Sequence, residues 1–191
     1  MIDKINHFFT SIHQNPIELY SEFGLQFELA IFLRSNYPDL TVRLEYPTPR
    51  IFNLLPQFIK KEIDIYITTE AGQKYVIELK MPKEDCGAPK EMYGAIKDVK
   101  FLEQLRQNRI DGCYAILVTK CQAFWQARRA DAGIYQFFNG QQVNLQSLEI
   151  RHLPNFLHNQ GPITLAGNYE GPWINYIDAH NTNWKYYVLD I

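Results

Sequence analysis

The sequence predicts an α/β domain in which a mixed central β-sheet is flanked by helices, and three observations carry that expectation. EIDIYIT (Glu62 to Thr68) and KYVIELK (Lys74 to Lys80) alternate apolar and polar residues, as half-buried strands do, with the turn-like TEAGQ between them. On either side of this pair, Ser21 to Pro38 and Pro89 to Asn108 carry apolar residues at helical spacing. CYAILVTK (Cys113 to Lys120) is an unbroken apolar run, the pattern of a strand covered on both faces.

In the first helix, Leu25, Leu29, Phe32 and Leu33 form the apolar stripe, and Tyr37-Pro38 stops it. The hairpin follows. Ile63, Ile65 and Ile67 share one face of its first strand, with Asp64 and Tyr66 on the other. In its second strand Ile77 and Leu79 oppose Glu78 and Lys80. A three-residue loop ending on Gly72, with the positive φ such loops favour, pairs Thr69 with Gln73 and sets Asp64 across from Glu78. The second helix buries Ile96, Val99, Leu102 and Leu105. Opposite them it presents a polar stripe of Lys97, Lys100, Gln104 and Gln107. From Gly133 onward aromatics and amides are frequent. Asn183 to Ile191 alternates well enough to be a strand, expected on the sheet edge or in a small packed subdomain. Phe124, Trp125, Trp173 and Trp184 are expected to cover the sheet, with stacking on exposed bases as the alternative.

The chemistry concentrates on the hairpin. Cross-strand partners have Cβ atoms roughly 5 Å apart, and like charges there destabilise a sheet. Asp64 and Glu78 therefore call for a remedy. Either one carboxyl takes up a proton, or both share a hard divalent cation such as Mg²⁺. Lys80, one pleat further along, sets an ammonium beside that cation. This is the arrangement of metal-assisted hydrolysis, and the competing reading is an ordinary surface ion pair.

Asp64, thirteen residues, then Glu78-Leu79-Lys80 on a hairpin resembles the PD-(D/E)XK nuclease superfamily, whose fold is restriction-endonuclease-like. The order of elements from Glu18 to Trp125 resembles it too, although Ile63 stands where the family name has proline. The resemblance implies a single nuclease-like domain over residues 1–191, with a core near 18–125 and an aromatic-rich C-terminal extension from 126 packing on it. It implies Asp64, Glu78 and the Leu79 carbonyl as metal ligands, with Mg²⁺ as cofactor and Mn²⁺ as a substitute. Lys80 would polarise the water or steady the transition state. Glu28 best matches the family's helix acid, with Glu22 as the other candidate. Lys97, Lys100 or Gln104 would meet substrate. The implied activity is hydrolysis of DNA phosphodiester bonds in restriction, mobile-element or phage-defence settings, with RNA left open. A homodimer would suit a palindromic duplex. The alternative is a nuclease-like fold used as a non-catalytic nucleic-acid-binding or assembly module.

Composition bounds the rest. The chain has 191 residues, 46% of them apolar, enough to bury a core in one domain. Its formal net charge of −2 argues against indiscriminate coating of nucleic acid. Lys83, Lys90, Arg106, Arg109, Lys120, Arg128 and Arg129 could contact phosphates but form no dense run. MIDKINHFF lacks a signal-peptide layout and no apolar run approaches a membrane span, so a cytoplasmic protein without membrane contact is expected. Cys86, Cys113 and Cys121 are too few and too irregular for a disulfide framework or a zinc site. His152, His158 and His180-Asn181 lack the spacing of a histidine metal nuclease.

Overall fold

The computed structural model describes residues 1–52, 58–83, 87–127 and 132–191. Helices α1 (Ile2–Gln14) and α2 (Glu22–Asn36) precede strands β1 (Leu40–Pro47), β2 (Glu62–Thr69) and β3 (Lys74–Lys80). Helix α3 (Ala88–Gln107) crosses to β4 (Gly112–Thr119). Then come β5 (Gln142–Leu145), β6 (Tyr169–Pro172), β7 (Ile174–Ile177) and β8 (Asn183–Asp190), with short 3₁₀ turns between. The main sheet is mixed and six-stranded, in the order β1-β2-β3-β4-β8-β7, and β5-β6 form a separate ribbon. Among the described strands only β3 and β4 pair in parallel. A parallel pair needs a long crossover, and α3 supplies it.

The expected helices and hairpin are present. Ser21 caps α2 by accepting from the Gly24 amide. The hairpin loop has the anticipated length, with Thr69 N–H bonded to the Gln73 carbonyl at 3.0 Å and Gly72 at φ +81°. β4 is buried along its whole length, as its unbroken apolar run predicts.

The sheet separates two cores. On one face Ile5, Phe8, Phe9 and Ile12 of α1 and Leu25, Leu29 and Leu33 of α2 pack on Ile65, Ile67, Ile77, Leu79, Ile116 and Trp184. On the other, Met92, Ile96, Val99 and Leu102 of α3 pack with Val76, Ala115 and Leu117 and with the C-terminal third, through Phe124, Phe138 and Trp173. Buried Glu103 ties that third to α3, its Oε1 accepting from the amides of Ala166 and Gly167 and from the Tyr169 hydroxyl.

Two expectations need correction, and one helix must be added to them. α1 was not anticipated, although its buried residues recur at helical spacing. β8 is interior, hydrogen-bonded between β4 and β7, because its alternate residues serve both cores; the edges are β1 and β7. Ile63 packs with the α3-side core and not with Ile65 and Ile67. The change of side falls where the β1–β2 pairing lapses, at Glu45, whose φ is +48°. Among the described residues no helix is long and apolar enough to cross a membrane. Cys113 and Cys121 are free and buried, while Cys86, Arg128 and Arg129 fall outside the described residues.

Candidate functional site

The site forms where the central strands begin to part. The β2–β3 ladder is regular from Thr68–Lys74 to Ile65–Ile77 and ends there. Beyond that point side chains take over the backbone groups, as buried amides require. Asp64 Oδ2 accepts from the Leu79 amide at 2.7 Å, and Glu78 Oε1 accepts from the Asp64 amide at 3.3 Å. The two carboxylates thus cross-brace the opening strands, side by side as the loop arithmetic predicts. On the outer side, buried Gln26 of α2 donates to Glu45 Oε1 at 2.7 Å and to the Asp64 carbonyl at 2.6 Å. That bridges the place where β1 and β2 lose their pairing.

A lysine that the sequence reading did not single out completes the cluster. Lys60, two residues before β2, donates from Nζ to Glu78 Oε2 and to Asp98 Oδ1, the latter at 3.0 Å. Asp98 lies on α3 between Ile96 and Val99. An acid inside a helix's apolar arc is the signal that would have found it. Lys60 left only a weaker trace, a lysine pair leading into an acidic strand start.

Lys80 points to α3 and not to the paired carboxylates. Its Nζ lies 3.5 Å from Glu91 Oε2. The stem passes over Gly94, where an added Cβ would sit 3.3 Å from Lys80 Cε. Glu91, Gly94 and Asp98 are three and four residues apart and share one stripe of α3. The expected stripe is rotated about 100° from it, the angle of one helical residue. Lys97 and Lys100 instead line a groove of about 350 Å³ with Ile59, Tyr93, Gln160 and Ile163. Lys100 pairs with Glu103 at 3.0 Å, and Gln104 accepts from the Ile59 amide at 3.0 Å.

The two acids of α2, Glu22 and Glu28, lie in different surroundings. Glu22 Oε2 accepts from the Met81 amide at 2.8 Å, directly after Lys80. Glu28 is exposed and makes none of these contacts. Six residues turn a helix through about 600°, so Glu28 cannot share the face of Glu22.

Burial sets the electrostatics. It raises the Asp64 carboxyl to about 6, against the pull of Lys60 and of the Leu79 amide. Burial, then the neighbouring Asp64 charge, holds Glu78 well above the ordinary carboxylate range. Asp98 is raised by burial, against Lys60 and Lys80. Burial works to lower Lys60, but Glu78, Asp98 and Asp64 outweigh it and keep the ammonium charged. Lys80 is raised in the same way, with Asp98, Glu22 and Glu91 overcoming burial. Glu78, Asp98 and Asp64 surround Lys60, while Asp98, Glu22 and Glu91 surround Lys80, so full ionisation leaves the acids outnumbering the two lysines. A proton or an added cation reduces that excess.

Carboxylate and carbonyl oxygens are the donors a hard divalent ion takes, and an ammonium already sits at Glu78 Oε2. The donor chemistry therefore fits Mg²⁺ at Asp64, Glu78 and the Leu79 carbonyl. Among the described residues, however, no three His, Cys, Asp or Glu side chains are already gathered to hold a metal ion. No protein-family model matches the chain, and comparison with curated proteins and with solved structures gives no significant match.

Proposed function

We propose that the protein is a divalent-metal-dependent nuclease that hydrolyses DNA phosphodiester bonds, built on a restriction-endonuclease-like fold. The observation that carries this reading is the pair of carboxylates, Asp64 and Glu78, braced together at the opening of β2 and β3, with Lys80 on the same strand. The chain order supports it as well: a helix, the β1-β2-β3 meander carrying the acids, then a helical crossover into a parallel strand.

Asp64, Glu78 and the Leu79 carbonyl would hold Mg²⁺, with Mn²⁺ substituting. Bound there, the ion would supply a water of lowered pKa and positive charge against the scissile phosphate. Lys80 stabilises charge developing on the phosphate, and Glu91 and the open surface of Gly94 fix the line its stem takes. Glu22 is a positioning residue, holding the chain at Met81 so that Lys80 stays at the strand end. Lys97 and Lys100, which line the adjoining groove, would meet flanking phosphates.

One observation favours the second reading, a non-catalytic nucleic-acid-binding or assembly module: Lys60 already pairs with Glu78 and Asp98, where a metal ion would be needed for catalysis. Calorimetric titration with Mn²⁺ and a nicking assay on supercoiled plasmid separate the two. The nuclease reading expects metal binding and nicking by the native protein, both lost in Glu78→Ala. Unchanged metal affinity and cleavage in Glu78→Ala would falsify it. DNA retained in a gel-shift assay without nicking at any metal concentration selects the binding module.

A further inference from the structure

Lys60 is held in place from both sides. The amide of Ile59 donates to Gln104 Oε1, and the carbonyl of Lys61 accepts from the amide and hydroxyl of buried Thr48, at 2.8 and 3.0 Å. Its ammonium is thus delivered by a pinned segment onto Glu78, which is 1% exposed, and Asp98, whose side chain is 12% exposed. Asp64 adds its charge from β2, and the ring of Phe101 closes the apolar side, 5.7 Å from Nζ. A lysine on a mobile surface gains little from an ion pair; one fixed between two buried carboxylates supplies the charge they need to stay in the fold.

We propose that Lys60 is an exchangeable internal cation, occupying the carboxylate site when no metal is present and displaced from Glu78 when a divalent ion enters. The inference rests on the nuclease reading's metal ligands and goes beyond it by assigning Lys60 a competing role. The exclusion follows from the oxygens already in use. Glu78 Oε1 accepts from the Asp64 amide and Oε2 from Lys60, so a divalent ion taking Oε2 as a ligand at roughly 2.1 Å would need the place the ammonium holds. The two cations cannot both sit there, and their repulsion at so short a distance is only partly screened in a buried site. The metal-free site is therefore neutral enough to fold, at the cost of weaker metal binding.

Calorimetric titration with Mn²⁺ and thermal melts, both on the full chain, test this. Lys60→Met is expected to bind Mn²⁺ at least tenfold more tightly than the native protein. It should melt lower without metal and regain the native melting temperature at saturating Mn²⁺. Lys97→Met, which removes a nearby charge that does not touch Glu78, should change the affinity less than threefold. If Lys60→Met does not fold without metal, the double variant Lys60→Gln/Asp98→Asn carries the comparison. It deletes the cation with one of its carboxylates and leaves the cluster's net charge unchanged; it too should bind more tightly than native. Equal or weaker binding in the variant that folds overturns the exchange. So does an equal gain in Lys97→Met, since the effect would then be general electrostatics. Absence of Mn²⁺ binding in every variant and in the native protein overturns the metal reading itself, and the exchange with it.

Discussion

Replacing Asp64 by asparagine tests the electrostatics of the site without any assumption about substrate. Asp64 is raised from 3.8 to about 6 in the fold, mainly by burial. Over that window the folded protein holds a proton that the unfolded chain releases, so stability falls as pH rises. A shift of about 2 units amounts to about 3 kcal/mol, lost between roughly pH 3 and pH 7. Of this, about 1 kcal/mol falls between pH 5 and pH 7. Glu78 and Asp98 are raised too and act with the same sign. The side-chain amide introduced by the substitution carries no charge, and its oxygen can still accept from the Leu79 amide. Asp64→Asn should therefore lose less stability than the native protein between pH 5 and 7, by about 1 kcal/mol. At pH 7 it should be the more stable of the two in the absence of metal. Urea denaturation of both proteins at the two pH values measures the difference, and each 1 kcal/mol corresponds to about 2–4 °C in melting temperature for a chain of this size. A gap between the two proteins that does not change with pH, or one that grows in the opposite direction, refutes the burial argument.

Other substitutions probe separate parts of the reasoning. Lys80→Met should keep Mn²⁺ affinity within a few-fold in calorimetry and lower single-turnover plasmid nicking by about 10²-fold or more, because its ammonium acts on developing charge. Glu22→Ala should reduce nicking, while Glu28→Ala, changed on the exposed face of α2, should leave both nicking and stability at the native level; the reverse pattern would restore Glu28 as the helix acid. Gly72→Ala should cost about 1 kcal/mol in urea denaturation, since φ there is +81° and a Cβ would meet no atom within 4 Å, leaving backbone strain as the sole cause. Mn²⁺ affinity itself should fall as pH drops below about 6, approaching tenfold per pH unit for each proton displaced, because Asp64 and Glu78 are both raised by burial and hold protons against the metal.

The hairpin was legible because every constraint on it is local. Strand parity assigns faces, Gly72 fixes the loop, and the loop fixes the register, so Asp64 beside Glu78 followed from counting. The helices were legible for a similar reason: apolar residues recur at helical spacing on α2 and α3, and Ser21 and Pro89 mark their starts. The stripe on α3 misled at the site because a polar face and a site-facing arc differ by a single helical step. Lys97, Lys100 and Gln104 mark the solvent-side groove, whereas Asp98 sits within the apolar arc that packs on the sheet. The choice between Glu22 and Glu28 had the same character, since both fit α2 and only the docking angle of that helix brings one of them to Met81.

By itself, then, the sequence determined the mixed α/β arrangement around the hairpin, the pairing of two carboxylates, and the demand for a positive charge between them. These follow from periodicity, turn chemistry and Coulomb repulsion, which act over a few residues. The tertiary structure alone decided how the demand is met. Lys60 reaches Glu78 across 18 positions and Asp98 across 38, a meeting set by how Ile59 and Lys60 lie against Gln104 and Asp98 of α3. It also decided the place of β8 between β4 and β7, because which strand lies inside a sheet depends on what the other strands leave unpaired, and no local pattern records that.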